Sequence, residues 1–313
     1  MTKFGSALVT GGAGFIGSHL VAELAANGCR VTVLDNLSTG HRRNIEHLAD
    51  RIEFIEGDIR DAALLDKVIG GCEVVFHQAA VVSVTQSVED PSHACDVNDL
   101  GTVRVLDACR REGVRRVVLA SSSAVYGDDP QLPKSEDMSP RPLSPYAVQK
   151  LTGEYYASVF KELYGLETVC LRYFNVFGPR QDPSSPYSGV ISIFMSMATA
   201  GQAPTIYGDG GQTRDFVYVK DVVQANMLAA TDAAAAGRVF NVGTGKDICI
   251  RDLWELIGEL SGFRAAPLFG APRAGDIRES VSDIHKIEDL LGFSPQVDLR
   301  RGLIDTLAWY RSA

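Results

Sequence analysis

A doubly wound parallel α/β sheet with a smaller C-terminal substrate domain is the fold class predicted for this 313-residue chain, and three observations predict it. Short apolar runs alternate with helical spacings from the N-terminus onward, a pattern that implies a parallel sheet covered by helices on both faces. A glycine-rich Gly11-x-x-Gly14-x-x-Gly17 follows the first run. The alternation fades after Asn175, where Gly178-Pro179-Arg180-Gln181-Asp182-Pro183-Ser184-Ser185-Pro186 reads as a loop by composition. The expected division is a cofactor domain over 1–175 and a mainly substrate-binding domain over 176–313, with segments of the second returning to the main sheet.

In order, the expected strands are 7–10, 30–35, 52–57, 74–77, 117–121 and 168–173, each dominated by the apolar residues that a strand buried on both faces requires. Helices are expected over 18–26, 62–69 and 97–112 between them, and over 191–200 and 251–260 later. The alanine run at 233–236 reads as a helix end closed by Gly237.

Composition narrows the partners. A hydrophobic content of 45% and a charged content of 22% are ordinary for a soluble globular protein. A net charge of −9 argues against nucleic acid, which selects a basic face. The apolar run at 7–10 is too short for a signal segment or a membrane span. The six cysteines, Cys29, Cys72, Cys95, Cys109, Cys170 and Cys249, show no Cys-x-x-Cys spacing, so reduced thiols in the cytoplasm are expected and no metal site is visible.

In such sheets the ligand lies beyond the carboxyl ends of the strands, so the segments that follow each strand are the informative ones. After the first comes Gly11-Gly12-Ala13-Gly14-Phe15-Ile16-Gly17. Glycines permit the tight turn and close approach to a pyrophosphate, which the free N–H groups of the next helix then hold. The second strand ends in Asp35, 18 residues after Gly17. A carboxylate there accepts from the adenosine ribose hydroxyls and repels a 2′-phosphate, which favours NAD over NADP. Asn36, Ser38 and Thr39 follow it with further polar contacts. Asp58, after the third strand, suits either the adenine amino group or a turn or N-cap role. Gln78-Ala79-Ala80, after the fourth, offers small residues where the cofactor must pass.

The chemistry is expected after the fifth strand, where Ser121-Ser122-Ser123 runs into Ala124-Val125-Tyr126-Gly127. Beside a dinucleotide this serine tract suits hydrogen bonding to a substrate hydroxyl. Tyr146 and Lys150 stand one turn apart on a helix that Pro145 would start. A free tyrosine has a pKa of about 10. A neighbouring ammonium and a positive nicotinamide ring both stabilise its phenolate and would make it a usable base. Together these residues point to oxidation of an alcohol by bound NAD.

These motifs resemble the extended short-chain dehydrogenase/reductase superfamily, of Rossmann-like fold, and within it the nucleotide-sugar 4-epimerases. The pieces that carry the likeness span the chain: Thr10 to Gly17, Asp35-Asn36, Gly57-Asp58-Ile59, Ser121 to Gly127, Ser144-Pro145-Tyr146, Leu171 to Gly178, Arg214 to Val219, and Arg273-Ala274-Gly275-Asp276. The resemblance implies a catalytic hydroxyl at Ser122, three residues before Val125, with Ser121 or Ser123 open as alternatives in the triplet. It implies Tyr146 as base with Lys150 as its partner. It sets Phe15, Ile16, Gly40, Ile59, Asn98 and Tyr173 against the cofactor, and Asn175, Val190, Tyr207, Arg214, Arg273 and Asp276 around a uridine diphosphate, with Ser123 beside the sugar.

The implied reaction is proton removal from the sugar 4-hydroxyl by Tyr146 and hydride transfer to tightly held NAD. Rotation of the 4-keto sugar and hydride return to its other face would follow. Four residues beyond Asp276, the position that governs room for a 2-N-acetyl group is Ser280. Its small size favours UDP-N-acetylglucosamine and UDP-N-acetylgalactosamine, with UDP-glucose and UDP-galactose as a slower pair. One departure is Val82, where some hexose epimerases carry lysine. A 4,6-dehydratase needs an acid pair after the catalytic hydroxyl, and Ser123-Ala124 does not supply it. A uronate epimerase or decarboxylase and a non-catalytic NAD-binding regulator remain as alternatives. The family likeness further implies a homodimer through the helices around 97–111 and 146–163.

Overall fold

The computed structural model describes residues 4–182, 189–272 and 277–312. In chain order the first strands and helices are β1 (Ser6–Thr10), α1 (Phe15–Ala26), β2 (Arg30–Asp35), β3 (Ile52–Glu56), α2 (Ala62–Ile69) and β4 (Val74–His77). Then come α3 (Val84–Glu89), α4 (Pro91–Cys95), α5 (Gly101–Arg111), β5 (Arg116–Ser122), α6 (Pro145–Tyr164), β6 (Glu167–Tyr173) and β7 (Asn175–Phe177). The later chain forms α7 (Val190–Thr199), β8 (Thr205–Tyr207), β9 (Thr213–Arg214), β10 (Phe216–Tyr218), α8 (Val219–Thr231) and β11 (Arg238–Val242). It ends with β12 (Ile248–Cys249), α9 (Ile250–Ser261), β13 (Leu268–Gly270), α10 (His285–Leu291) and α11 (Leu299–Ser312).

The main sheet is parallel throughout and seven-stranded, in the order β11-β6-β5-β4-β1-β2-β3. The order reverses beside β1, which opens a crevice at the carboxyl edge. Side chains alternate across this sheet. Val9, Val33, Phe76, Val118 and Leu171 pack with α1 and α8 on one face. Leu8, Leu34, Val75, Val117 and Leu119 pack with α2, α5 and α6 on the other. A separate apolar cluster joins α7, α9 and α11 to β7 and β10. Beyond the main sheet, among the described residues, the strands pair in twos: β10 with β7, β12 with β9, and β13 with β8.

Three expected boundaries shift. Helix α1 begins at Phe15, not 18, because Gly14 serves as its N-cap and the glycine turn runs straight into the helix. The helix expected over 97–112 starts earlier, at Pro91, where Asp90 caps it, and passes through a π-turn at Asp96–Leu100 before α5. The alanine run is no helix end: α8 stops at Thr231, and Asp232 caps a separate 3-10 turn over Ala233–Ala235. Gly237 does take a positive φ of 76° after it.

Candidate active site

The cofactor cradle is assembled where β1, β2 and β4 end. Gly11 turns with φ 69°, and a Cβ there would stand 2.7 Å from the Ala79 nitrogen, so the turns after β1 and β4 touch backbone to backbone. At Gly17 a Cβ would meet the Gly11 carbonyl oxygen at 2.2 Å, which only glycine avoids. No side chain caps α1 and its first turn holds no acid. Its free N–H groups and positive dipole end therefore suit a diphosphate.

Asp35 is buried at the tip of β2; its carboxylate accepts from the N–H groups of Ala13 (2.9 Å) and Leu37 (2.8 Å). Burial raises its pKa and these bonds oppose the rise, so a carboxylate with lone pairs to spare faces the crevice. Asn36 ties this loop to the next by donating to Asp58 at 2.8 Å, while its own Oδ1 accepts from the Ser38 N–H at 3.1 Å. Arg60 grips Asp58 and holds its carboxyl well below the usual range. Asp58 is thus no helix cap; Asp61 caps α2 instead. Ser38 and Thr39 are exposed at the loop tip, and Gly40 and Ile59 are buried beneath it.

On the other side of the crevice, Gln78 donates to the Tyr173 hydroxyl at 3.1 Å, and Asn226 donates to the same hydroxyl at 2.8 Å. The Tyr173 side chain is therefore turned into the sheet face that α8 covers, where burial pushes its pKa up to about 12. Asn98, in the π-turn, accepts from the Val81 N–H (2.8 Å) and donates to the Val81 carbonyl (3.0 Å) and to Gln149 (2.8 Å). It shapes the backbone just beyond Ala80, and Val82 stands exposed beside it.

The serine triplet separates by function of geometry. Ser121 donates to Glu154 at 2.5 Å in a buried network that Arg172 completes at 2.7 and 2.9 Å. The Ser121 proton is thus committed to Glu154, which makes Ser121 part of the buried support and leaves Ser122 as the residue of the triplet beside Tyr146. Ser122 caps the short turn that follows, and its hydroxyl works against the rise of the Tyr146 pKa. Tyr146 and Lys150 project from α6, which Ser144 caps and Pro145 opens. The Lys150 ammonium lies 5.8 Å from the Tyr146 ring centre and donates to the Ala120 carbonyl at 2.8 Å. Burial pushes Lys150 down to about 8 and raises Tyr146, while the Ser122 bond pulls Tyr146 back.

The substrate-side residues gather from distant segments. Asn175 pairs with the β9–β10 connection, donating from its backbone N–H to the Asp215 carbonyl at 3.0 Å. On the far side the Asp215 N–H donates to the Ser280 carbonyl at 2.9 Å, so Asn175, Asp215 and buried Ser280 form one row. Arg214 stands in β9 next to this row, and Val190 is the first residue of α7. Tyr207 lines an open cleft of about 680 Å³ with Gln212, Phe269 and Arg278. Arg273 and Asp276, and the loop expected at 183–186, lie outside the described residues.

Sequence reading missed the buried Asp215 carboxylate as a hub. It accepts from Thr244, Gly245 and Ser282 and pins the segment that carries Ser280. It also missed Ser87, whose hydroxyl accepts the Tyr146 N–H at 3.1 Å. Nothing near either residue in sequence announces its distant partner.

Comparison with known proteins agrees with this geometry. Residues 7–243 match the model of the NAD dependent epimerase/dehydratase family. A UDP-glucose 4-epimerase of Mycolicibacterium smegmatis is 44% identical over 309 residues, covering 97% of this chain and 98% of that one. A solved UDP-N-acetylglucosamine 4-epimerase of Methanobrevibacter ruminantium, in complex with UDP-N-acetylmuramic acid, superposes with a TM-score of 0.95 at 40% identity, covering 100% of this chain and 99% of that one. A Thermus thermophilus UDP-glucose 4-epimerase complexed with NAD does so at 0.90 and 41%, covering 98% and 99%. The glycine turn, the acid at the tip of β2, the Ser122–Tyr146–Lys150 set and these matches identify the chain as a member of the NAD-dependent epimerase/dehydratase family.

Proposed function

We propose that this protein catalyses reversible 4-epimerisation of a UDP-sugar, with UDP-N-acetylglucosamine and UDP-N-acetylgalactosamine as its preferred pair. The observation that carries the reaction is the Tyr146 phenol buried beside the Ser122 hydroxyl, which works to lower its pKa, with the Lys150 ammonium 5.8 Å from its ring centre. The family membership and the two kinds of 4-epimerase among its relatives support the same reading.

NAD, when bound, supplies the reversible hydride acceptor for C4 of the sugar. The chain's own groups do the rest. The N–H groups of Phe15 and Ile16, opened by Gly11, Gly14 and Gly17, receive the cofactor diphosphate. Asp35 takes the adenosine ribose, with Asn36, Ser38, Thr39, Gly40, Asp58 and Ile59 around the adenosine, and Gln78, Ala79, Ala80, Asn98 and Tyr173 border the nicotinamide half. Burial by itself makes Tyr146 a weaker acid, the wrong direction for a base. The Ser122 hydrogen bond, the Lys150 charge and the positive nicotinamide ring oppose it. Tyr146 then accepts the 4-hydroxyl proton, Ser122 and Ser123 hold the sugar, and Lys150 holds the nicotinamide ribose. Asn175, Val190, Tyr207, Arg214, Arg273 and Asp276 anchor the uridine diphosphate, about which the 4-keto sugar turns before Tyr146 returns the proton.

Substrate preference rests on Ser280. Its place in the row with Asn175 and Asp215 supports an open wall beside the sugar, and a hydroxymethyl group leaves room for an acetamido substituent that an aromatic ring would fill. UDP-glucose and UDP-galactose are then a slower second pair. The test is incubation of the purified protein, without added NAD, with UDP-N-acetylgalactosamine and separately with UDP-galactose, read by NMR of the sugar protons. Faster conversion of the acetylated sugar is expected. Conversion of UDP-galactose alone would remove the substrate preference, and conversion of neither, even with NAD supplied, would remove the reaction.

We also read the protein as a cytoplasmic homodimer. All six cysteines are unpaired, as a reducing compartment allows. Among the described residues no helix is long and apolar enough to cross a membrane. Along α6, Val148, Tyr155, Val159 and Leu163 are exposed on one stripe, an apolar area of the kind that a second copy covers. Light scattering at the monomer mass would dismiss the dimer.

A further inference from the structure

The wall at Ser280 and the turn that Ser122 caps stand on distant chain segments, and one side chain, Asn241, is bonded toward both. Asn241 is fully buried in β11, the edge strand of the main sheet. Its Oδ1 accepts from the Tyr126 hydroxyl at 2.6 Å, and Tyr126 ends the short turn Ser123–Tyr126. Its Nδ2 donates to the Lys134 carbonyl at 2.8 Å and to the Asp283 carbonyl at 3.1 Å. Its backbone N–H donates to Glu136 at 2.7 Å. Lys134 and the segment around Ser282 are themselves paired. The Lys134 N–H donates to the Val281 carbonyl and the Asp283 N–H to the Lys134 carbonyl, both at 2.8 Å, which makes a parallel bridge. The Ser282 N–H (3.1 Å) and hydroxyl (2.5 Å) then donate to Asp215, whose backbone N–H bonds the Ser280 carbonyl.

Each end of this junction is rigid. A buried amide whose oxygen and both N–H hydrogens are all bonded has one orientation, and turning it would set donor against donor. The Tyr126 ring lies 6.4 Å from that of Phe174, and the Arg172 guanidinium stands 4.8 Å from its centre. Arg172 is the group that Glu154 holds together with Ser121, so the Tyr126 hydroxyl is a fixed point relative to the serine strand. On the other side the Lys134 ammonium turns back on its own loop and donates to the Asp129 and Gln131 carbonyls. The Lys134 carbonyl accepts from both Asn241 and Asp283, which uses both of its lone pairs. An apolar residue at 241 would fill the same space and fix none of these positions.

We propose that Asn241 is a positioning residue for sugar selection: it sets the separation between the serine turn and the Ser280 wall, and with it the width of the sugar pocket. It acts through Tyr126, Lys134 and Asp283 and not on the sugar itself. With the amide in place the wall stands at one distance from the reacting groups, and a sugar is accepted or refused by its substituent. With the amide lost, the segment around Ser282 moves more freely and the pocket discriminates less between sugars with and without an acetamido group. The inference rests on Ser280 facing the sugar, as the proposed function has it, and not on which sugar is preferred.

The experiment compares the wild type with Tyr126→Phe, which removes one hydroxyl and frees the amide to turn, and with Asn241→Asp, which keeps the acceptor for Tyr126 and loses both donated bonds. Three quantities are read: hydrogen exchange of the N–H groups at 281–283 without substrate, the ratio of kcat/KM for UDP-N-acetylgalactosamine to that for UDP-galactose, and NAD retained per chain. The ratio is independent of the fraction of chain that is folded, so a loss of stability alone does not move it. Loss of a buried hydrogen bond predicts exchange at 281–283 faster by about 5- to 10-fold in Tyr126→Phe, and a larger increase in Asn241→Asp. The sugar ratio should move toward one by about 3- to 10-fold in Asn241→Asp, from whichever side the wild type starts, with NAD retention unchanged. Exchange at 281–283 that matches the wild type in both variants would overturn the proposal. Faster exchange with an unchanged ratio would overturn it as well, leaving Asn241 a support of the fold. A wild type that converts neither sugar would reject the proposed reaction, and the exchange rates, which need no turnover, would still decide whether Asn241 holds the segment. Should Asn241→Asp not fold, Tyr126→Phe decides alone: unchanged exchange or an unchanged ratio rejects the assignment.

Discussion

On the cofactor side, most residues assigned to NAD lie within a few positions of a strand's carboxyl end in one continuous sheet, with Asn98 and Lys150 reaching it from helical segments, whereas the substrate side is stitched from two-stranded pairs drawn from β7 to β13 and from the segment around Ser280. The first region is held by packing, since the central strands are covered on both faces by apolar side chains and helices. The second has an apolar cluster of its own, but its row beside Ser280 is held by polar bonds, among which the buried Asp215 carboxylate accepts from Thr244, Gly245 and Ser282. Apolar burial is non-directional and forgiving of sequence, while each buried hydrogen bond contributes only about 1 kcal/mol net and fails if one partner is lost. A scaffold of the first kind keeps the chemistry constant. A patchwork of the second kind lets single positions decide which sugar fits.

Tyr146→Phe should break that comparison hardest on the cofactor side. Removing the phenol removes the base and leaves the cradle intact. Turnover is expected to fall by roughly 10³- to 10⁴-fold, with NAD retained per chain unchanged. Equal loss of NAD and activity would show that Tyr146 supports the cradle and is not the base. Next in size, Ser280→Tyr probes the patchwork. Filling the wall beside the sugar should lower turnover of the acetylated sugar by about 10²-fold, as a steric clash of a few kcal/mol implies, and spare UDP-galactose. A uniform loss on both sugars would mean that the row of Asn175, Asp215 and Ser280 had collapsed.

How much was legible in the sequence follows the same line. The strands at 30–35 and 74–77 are found with their expected limits, because each is a dense apolar run punctuated by turn residues. Gly17 announces itself because its close neighbour in space, Gly11, is also its neighbour in the motif, and Asp35 because it ends a dense apolar strand. The start of α1 was read late because Gly14, its cap, looks like more turn. The π-turn at 96–100 left no trace, since one widened turn does not disturb a helical spacing enough to be seen. The register of the serine triplet could not be fixed from sequence because it depends on Glu154, 33 residues away, which claims Ser121. Asp215 is invisible for the same reason: its partners at 244–245 and 282 meet it only once the chain is folded.

A smaller effect separates the regions by pH. On the cofactor side His77 is buried between the hydroxyls of Thr10 (2.8 Å) and Thr102 (3.0 Å), and burial pushes it down to about 3, as it pushes His19 to about 4. Each is neutral in the fold and protonates near 6.5 when unfolded. Between pH 6.5 and those values the unfolded chain binds more protons, so stability falls as pH falls, by about 1.4 kcal/mol per pH unit per histidine at full slope. Asp58, held low by Arg60, adds to the loss. On the substrate side the buried acids Asp215 and Asp221 are raised by burial and take up protons sooner in the fold, which softens acid unfolding there; Asp35 and Asp99 are counterparts on the cofactor side. Hydrogen exchange at pH 4.5 against pH 7 should open β1 and β4 before α7, α9 and α11. Opening in the reverse order would reject the assignment.

The smallest expected effect sharpens the comparison at the seam between the two regions. Ser87 is fully buried in α3, donates to the Val84 carbonyl at 2.6 Å, and accepts the Tyr146 N–H at 3.1 Å. In the first turn of α6, Ser144 serves the N–H groups of Ala147 and Val148, and Pro145 has none to serve. Tyr146 therefore depends on Ser87 for its backbone, and through it the base is tied to the helix that follows the Val82 loop. Ser87→Ala leaves one buried N–H without a partner, a loss of about 1 kcal/mol, and so a melting shift of about 2–4 °C. If Ser87 acts by positioning the base, kcat should drop about 3- to 10-fold while KM and NAD retention hold, because only a transition-state contact has been loosened. A parallel rise in KM would place Ser87 among the substrate-side supports. A melting shift with unchanged kcat would make it a helix cap and nothing more, and would mean that α6 holds its tyrosine in place by packing alone.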